Sequence, residues 1–450
     1  MNKAALLAAI AALTLGACAG LAAPAGPAAE AIPQTRAERA SAVRQALVEI
    51  ADYAARVLLT AEGRGRADYH MVTGQWVNYE DHWHTGQLIW SLLEAGQVLD
   101  RPDLVASARR GGDWWISTEF PAGHPLAGLV AAAHGDKLGN LINWTTISDG
   151  TPGLFALSRV TGNARYADTA TRSGRWLWHN TRVPDSVPGG DWLFYNIIDP
   201  DSGEVYRDWD VHTQGVPRDP VRAAREAIAV TRVARPNIEG FLFQDMCRFT
   251  GEKIWCERFL AQADSVLSRQ HESGLWLQFE PNVVDGSQIH PRFNVWNAEA
   301  LLQAYEISGD RKYLEGAART ARWAQRVMQK DGTLHYRTAI DGRTNRAEVT
   351  GSAVAFNGIL MLRLKQYGYA EFAPTVDLFA DWLLRNRFAQ DHPDPNLAGA
   401  VVNTRQAMRG GRLELENRDV GSTFALRFLS LYLRDLRGED VNAWLNGRGS

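Results

Sequence analysis

A short turn that recurs between helical segments constrains the fold more than any other feature of this chain. Its clearest copies are residues 161–166 (TGNARY), 250–255 (TGEKIW) and 308–313 (SGDRKY), and residues 99–104 and 366–371 are weaker copies. Each copy joins two segments with helical periodicity. One helical hairpin cannot bury its apolar faces alone, so repeated hairpins must stack on one another. The repeat therefore predicts an array or ring of stacked helical hairpins.

Apolar residues recur at helical spacing in twelve segments. These are 36–60, 85–99, 102–118, 150–160, 164–180, 238–250, 252–271, 296–308, 310–329, 351–367, 371–388 and 420–434. The even-numbered segments are rich in small and apolar residues and are predicted to form an inner ring, whereas the others carry a charged face and should form an outer ring. Inner-to-outer links are short and outer-to-inner links are long. This pattern predicts an all-α (α/α)6 toroid, a single domain over 36–450, with a funnel on the face of the long loops.

The net charge of the 450-residue chain narrows the classes of partner. It is −3 at pH 7. A general nucleic-acid-binding protein needs a surplus of basic residues to neutralise phosphates, so no nucleic-acid partner is expected.

The N-terminal residues have the pattern of an export signal. Lys3 precedes an apolar stretch over 4–13 that is too short to cross a membrane, and Leu15-Gly16-Ala17-Cys18 follows. This tetrad resembles the lipobox of bacterial lipoproteins, which implies a signal peptide over 1–17, lipidation of Cys18 and a flexible tether over 18–35. The resemblance implies an anchor in the outer membrane, facing the periplasm or the cell surface. The alternative is an ordinary cleaved signal with a chance Cys.

The other two cysteines flank the turn at 250–251. Cys247 and Cys256 could be brought together by a helical hairpin, and an oxidising compartment would permit a disulfide; two separate buried thiols are the alternative. His82, His84, His212 and His290 lack the close helical spacing of metal ligands. No metal and no cofactor are expected.

Polar residues stand at or just before the predicted start of every inner helix. They are Asp81, His82, His84, Asp149, Asn237, Glu239, Asn294, Asn297, Glu299, Glu348, Thr350, Arg418 and Asp419. Helix capping explains many residues of these types. Carboxylates that converge on one cavity, however, raise one another's proton affinity and can supply a general acid and a base. Asp149 and Glu239 are the leading catalytic pair, and Asp81 and Asp419 are alternates because the first and sixth inner helices of a closed ring are neighbours.

The alternating hairpins and their Ser/Thr-Gly-x-x-x-Tyr turns resemble the (α/α)6-toroid carbohydrate-active enzymes. The resemblance covers residues 36–436 and is greatest to the unsaturated glucuronyl and rhamnogalacturonyl hydrolases, and weaker to the sugar 2-epimerases. Its best local stretch is 148–155 (SDGTPGLF). In the uronyl hydrolases an Asp ahead of a Pro-containing inner helix is the acid/base, so the resemblance implies this role for Asp149. The spacing from Asp to Pro is shorter here than in that family.

Aromatic and basic residues of the long loops indicate a sugar-binding funnel, because aromatic faces stack on sugar rings and Arg binds carboxylates in a bidentate manner. The predicted substrate-binding residues are Trp76, Tyr79, His82, Trp83, His84, Trp144, Trp209, His212, Arg235, Arg292, Trp296, Asn297 and Arg418. Core packing of the Trp residues and solvent exposure of the Arg residues are the alternatives.

Three functions are compatible with these residues. The first is an exported glycoside hydrolase that acts on an acidic, uronate-containing oligo- or polysaccharide by carboxylate acid/base catalysis. The second is a polysaccharide lyase, in which Tyr79, His84 or His212 would remove the proton beside a uronate carboxylate. The third is a non-catalytic surface glycan-binding lipoprotein.

Overall fold

Six helical hairpins form a closed ring with an inner and an outer layer of helices. The computed structural model describes residues 35–77, 79–135, 139–207, 229–409 and 412–445. The outer helices are Arg36–Tyr53, Pro102–Ile116, Arg165–Thr181, Lys253–Ser268, Arg311–Val327 and Ala373–Arg385. The inner helices are Asp81–Leu99, Trp144–Gly150 with Pro152–Thr161, Leu242–Thr250 after the 3-10 turn Glu239–Phe241, Phe293–Ser308, Gly351–Gln366 and Val420–Leu436. The sixth inner helix packs against the first, which closes the ring.

The recurrent turns link each of the first five inner helices to the outer helix that follows it, as the sequence predicts. Gly162, Gly251 and Gly309 end three inner helices with φ near +70°, a left-handed conformation that Gly adopts without strain. The links from outer to inner helices are the long ones. All six inner helices therefore begin on the same face of the ring, which we call the funnel face; the opposite face, with the short turns, is the plain face.

The tyrosines that follow these turns tie the outer helices together. The Tyr166 hydroxyl donates to Asp113 Oδ1 of the preceding outer helix at 2.7 Å, and Tyr313 donates to Asp264 Oδ1 at 2.7 Å. Each tyrosine ring is buried while its hydroxyl reaches a carboxylate at the rim. The repeated motif thus both ends an inner helix and fixes the position of the next outer one.

Several inner helices begin earlier than the periodicity predicts. The first begins at Asp81, and the fourth begins at Phe293, so that Asn297 and Glu299 lie inside it. The second is split at Thr151–Pro152, and Asp149 lies in the last turn of its first part. The prediction that Asp149 precedes the helix was therefore wrong. Asn143 caps this helix instead, accepting from the Thr145 N–H at 3.1 Å.

Short strands occupy the long loops of the funnel face. They are β1 (Tyr69–His70), β2 (Gln75–Trp76), β3 (Ala133–Gly135), β4 (Gly139–Asn143), β5 (Phe194–Tyr195), β6 (Ile197–Ile198), β7 (Val205–Tyr206), β8 (Ala234–Arg235), β9 (Thr404–Arg409) and β10 (Arg412–Asn417). They form antiparallel sheets ordered β2-β1-β10-β9, β3-β4-β6-β7 and β5-β8. Because each strand pairs with a strand from another long loop or from its own hairpin, the sheets brace these loops over the inner-helix ends.

A disulfide joins Cys247 and Cys256 across one of the inner-to-outer turns, with the Cα atoms 5.3 Å apart. We expect reduction to lower the free energy of unfolding by about 2–3 kcal/mol, the value for closure of a loop this short in the unfolded chain. Chemical denaturation with and without reductant measures this difference. A Cys247→Ser, Cys256→Ser double variant should match the reduced protein and should not respond to reductant; equal stability of all forms would contradict the prediction.

In the described part of the chain, no helix has the length and apolar character needed to cross a membrane. Cys18 and the predicted signal segment lie outside the described residues.

Candidate active site

Asp149 is a buried carboxyl group at the funnel-face end of the inner ring. Trp83, in the first turn of the neighbouring inner helix, donates its indole N–H to Asp149 Oδ2 at 2.5 Å. The backbone carbonyl of Asp149 accepts from the Gln87 amide. Burial raises the pKa of Asp149 to about 7; the Trp83 hydrogen bond opposes this shift, and the charge of nearby Glu239 adds to it. Asp149 therefore holds its proton below neutral pH and loses it as the pH rises through neutrality.

Glu239 lies close to Asp149 because the next residue, Gly240, has no side chain and packs directly against the backbone at Ser148 and Asp149. Gly240 follows Glu239 with φ of +76°, and a Cβ atom there would lie 2.0 Å from the Ser148 carbonyl oxygen and 2.7 Å from Asp149 Cα. The Glu239 carboxylate is fully buried and accepts from Arg235 Nη2 at 3.2 Å. The structure thus brings together the two carboxyl groups that the sequence analysis paired, one with a cationic partner and one without.

Arg292 is a buried cation without a carboxylate partner. Its side chain is 4% exposed, its Nη1 donates to Ser352 Oγ at 3.1 Å, and no Asp or Glu in the described chain lies within ion-pair distance. Its guanidinium carbon lies 5.8 Å from the ring centroid of Trp83 and 5.7 Å from that of Trp296. A buried cation is costly unless an anion neutralises it, so this position favours an anionic ligand.

The other buried arginines that the structure describes on the funnel face are paired. Arg418 donates to Asp68 Oδ1 at 2.9 Å and also donates to the Tyr79 hydroxyl, and Arg405 lies 2.8 Å from Asp68 Oδ2. The pKa of Asp68 is lowered to about 2. Burial alone would raise this pKa, but the positive charges of Arg418 and Arg405 lower it by more than burial raises it. Asp68, Arg405 and Arg418 therefore form a structural ion cluster. Among the described residues, Arg292 differs from these arginines because it has no carboxylate partner.

His84 and Asp419 form a second polar pair, across the closure of the ring. His84 Nδ1 lies 2.7 Å from Asp419 Oδ2, and both side chains are buried. Burial lowers the pKa of His84, but the adjacent Asp419 carboxylate outweighs this effect and raises it. His84 is therefore a proton donor more readily than a base.

Several buried polar atoms of this region have no hydrogen-bond partner among the described residues. They are His84 Nε2, Glu239 Oε2, Arg292 Nε, Trp296 Nε1, Asn297 Nδ2, Asn297 Oδ1 and Asp419 Oδ1. An unsatisfied buried polar atom costs about 1–3 kcal/mol. Four inner-helix entrances contribute to this set, so it marks a polar site that water or a hydroxyl-rich ligand would satisfy.

Some predicted site residues lie elsewhere. Asp81 pairs with Arg64 at 3.2 Å, and His82 stacks on Trp114 of an outer helix, where burial lowers the pKa of the imidazole to about 4. Trp144 is fully buried in the aromatic core and donates to Thr181 Oγ1.

Trp76 occupies the sheet of β1 and β2, where Arg66 lies over its ring. Trp209 and His212 fall outside the described residues. Within the described residues, no group of three or more His, Cys, Asp and Glu side chains is arranged to hold a metal ion.

Sequence reasoning missed the polar residues deeper in the ring. Gln87, Glu94 and Arg427 are buried, in the middle or last part of the inner helices, rather than at helix starts. The available signal was polar residues at helical spacing inside segments that are otherwise apolar on every side. Because such segments are buried all round, each polar member must face another polar group or a cavity.

No family model and no curated protein matches this sequence. Solved structures do match. An unsaturated glucuronyl hydrolase specific for heparin aligns over 90% of this chain and 98% of its own, with 11% identity and a TM-score of 0.60. A cellobiose 2-epimerase from Bacillus thermoamylovorans aligns over 86% and 99%, with 12% identity and a TM-score of 0.63. A possible member of the GH105 family from Salmonella enterica aligns over 92% and 97%, with 13% identity and a TM-score of 0.57.

The chain is an (α/α)6 toroid. The predicted fold class is confirmed, and so is the similarity to the structures of glucuronyl hydrolases and sugar epimerases. At 11–13% identity the likeness establishes the fold alone, and the chemistry has to be argued from the site.

Proposed function

We propose that this protein is a glycoside hydrolase that acts on a uronate-containing oligosaccharide. One observation carries the proposal: a single indole, Trp83, contacts the Asp149 acid through its N–H and the unneutralised Arg292 through its face. A proton donor and an anion-binding group therefore lie on either side of one indole ring. Such a site suits a sugar that carries a carboxylate near the glycosidic bond to be cleaved.

In this proposal Asp149 donates its proton to the departing glycosidic oxygen. Glu239 provides the carboxylate that either takes a proton from the attacking water or bonds to the sugar carbon. Arg292 holds the uronate carboxylate, and the Trp83 and Trp296 rings flank the sugar. If Glu239 acts as the base, water gives its hydroxyl to the sugar and its proton to Glu239, and proton exchange with solvent restores both groups. If Glu239 bonds to the sugar carbon, water then displaces Glu239 from the sugar and returns a proton to Asp149.

A lyase is less well supported. Its base would have to accept a proton, and Tyr79 is buried with its pKa raised by that burial, while Asp419 favours the protonated form of His84. His212 lies outside the described residues. The anion-binding role of Arg292 is compatible with either reaction. The hydrolase is favoured because the site offers a proton donor, Asp149, whereas Tyr79 and His84 are poor bases.

Assays on uronate-ended oligosaccharides distinguish the candidate functions. A hydrolase specific for unsaturated uronides destroys their ultraviolet absorbance, a hydrolase acting on saturated uronides releases a reducing end without changing absorbance, and a lyase creates new absorbance. Release of reducing ends from acidic but not from neutral oligosaccharides would support the proposal. Binding without turnover of any acidic glycan would refute it.

The pH dependence of kcat/KM follows from the acid role of Asp149. Its pKa is about 7, raised above the ordinary Asp value mainly by burial, so the protonated form is present below pH 7 and is lost above it. We expect kcat/KM to fall about tenfold per pH unit above this value. A pH profile on a substrate without titrating groups in this range measures it. Undiminished activity two pH units above neutrality would contradict the assignment.

We also propose, from the Leu15–Cys18 pattern, that the enzyme is exported and lipid-anchored. Labelling with a radioactive fatty acid, compared between wild type and Cys18→Ala, tests the anchor.

A further inference from the structure

The inner helices present polar stripes to the axis of the ring. On the first inner helix the stripe is Trp83, Gln87, Trp90 and Glu94, and on the fourth it is Arg292, Trp296, Glu299 and Gln303. The spacing i, i+4, i+7, i+11 places each set on one helix face. The two stripes face each other, since the ring centroids of Trp83 and Trp296 are 6.1 Å apart. Both lead from the candidate active site towards the plain face.

A cluster of buried ions lies at the lower part of these stripes, and we call it the axial cluster: Glu94, Glu299, Arg363 and Arg427. Arg427 lies 3.7 Å from Glu299 and 4.0 Å from Glu94, and Arg363 lies 3.5 Å from Glu299. All four side chains are nearly or fully buried. Four different inner helices therefore contribute charges to one site on the ring axis.

The ion pairs that Arg427 makes in the axial cluster are loose. Arg427 Nε and Nη2 have no hydrogen-bond partner in the described chain, although two carboxylates are close. Instead the guanidinium carbon lies over the Trp90 ring, 3.5 Å from its centroid. Charges that are buried and not locked in tight pairs are poorly screened, so their influence extends to neighbouring groups.

Asp149 lies on the funnel side of the axial cluster, next to Trp83 and Gln87 of the first stripe. Gln87, one turn above Trp90 on the same stripe, donates to the Asp149 backbone carbonyl. The charged groups that act on Asp149 from the surrounding helices are Glu239, Arg427 and Glu299. Two of these three belong to the axial cluster.

We propose that Arg427 and Glu299 are positioning residues that set, from beneath, the protonation state of the Asp149 acid. Glu299 favours the protonated acid and Arg427 favours the carboxylate, so the cluster balances proton retention against proton release. The proposal rests on the acid role of Asp149 in the proposed function. Stability alone accounts poorly for the cluster, because apolar residues of similar volume stabilise a core as well as buried ion pairs do.

Two variants that each remove one charge test the proposal by opposite shifts. Glu299→Gln removes a negative charge, so the alkaline limb of the kcat/KM profile should move to lower pH by about half to one unit. Arg427→Gln removes a positive charge and should move the limb to higher pH by a similar amount. A merely structural role would lower activity or stability in both variants without moving the limb in opposite directions.

Asp381→Asn is the matched control. Asp381 is a buried carboxyl group on the outer helix Ala373–Arg385, where it pairs with Arg39 at 2.5 Å, away from the axial cluster. This variant should leave the limb in place. Shifts of the Glu299 and Arg427 variants in the same direction, or no shift in either, would overturn the proposal.

A titration that needs no substrate separates this inference from the proposed function. The ¹³C carboxyl resonance of Asp149, assigned by its loss in Asp149→Asn, should titrate near neutral pH in wild type and shift in opposite directions in the two variants. Opposite shifts combined with an absence of hydrolase activity would uphold the inference and refute the function. If the Asp149 titration is unshifted in both variants and hydrolase activity is normal, the inference is refuted and the proposed function is upheld.

Discussion

Replacement of Asp149 by Asn is expected to lower kcat by about 10²–10⁴-fold, the usual contribution of a positioned general acid. Asn has nearly the same volume and keeps an oxygen that can accept from the Trp83 N–H, so the fold and substrate affinity should persist. KM and the unfolding midpoint measured alongside kcat establish this. Loss of the acid removes an interaction made only in the transition state, which is why kcat rather than KM should change.

Asp245→Asn provides the comparison for this substitution. Asp245 is buried on the third inner helix, and burial raises its pKa to about 6, yet it contacts neither Trp83 nor Glu239 among the described contacts. Its variant should retain near wild-type kcat. Near wild-type activity of Asp149→Asn, or equal losses in both variants, would remove Asp149 from the mechanism.

Replacement of Arg292 by Met is expected to abolish the preference for acidic substrates. A hydrogen-bonded contact with a charged group contributes about 1.5–3 kcal/mol, which corresponds to a fall in kcat/KM of about 10- to 150-fold on a uronate substrate. Met keeps an unbranched stem at this position and removes only the guanidinium group, whose carbon lies near the Trp83 and Trp296 rings. On a neutral sugar with the same linkage, the variant and the wild type should differ little.

A substrate methyl ester makes this test specific. Wild type should lose about as much kcat/KM on the esterified substrate as Arg292→Met loses on the free acid, and the variant should lose nothing further, because the two changes remove one interaction. Arg337→Met is the control, since that half-exposed Arg is already paired with Glu348 at 2.8 Å. Additive losses would show that Arg292 does not bind the carboxylate.

Much of the fold could be predicted from local patterns. A Gly that ends a helix in the left-handed conformation and an apolar period of 3.6 residues are local properties, and hence the hairpins and the two layers were read correctly around Gly162, Gly251 and Gly309. The exact starts of the inner helices were not predicted, because the helices at Asp81 and Phe293 begin earlier than the apolar periodicity indicates and this extension depends on tertiary packing. The small sheets were missed, since strands of two residues carry almost no periodic signal.

The candidate site was predicted in part. Position at an inner-helix entrance singled out Asp149, Glu239, His84 and Asp419, because ring closure brings all such positions to one face, whereas Arg292 was predicted as a basic residue of a funnel-side loop. The same rule could not separate them from Asp81 and His82. Their side chains turn to Arg64 and Trp114 instead, and helix rotation of this kind is decided only by packing.

By itself the sequence determined the repeat, the ring and the face on which polar groups collect, because turn chemistry and periodicity act over a few residues. Only the tertiary structure decided which of those groups are chemically active. The protonation of Asp149 depends on burial and on Trp83, Glu239, Glu299 and Arg427, which come from four other inner helices. The isolated charge of Arg292 likewise depends on the tertiary structure, because no carboxylate of the described residues pairs with it. Electrostatic free energies depend on distance and burial, and neither quantity can be obtained from the sequence without the tertiary structure.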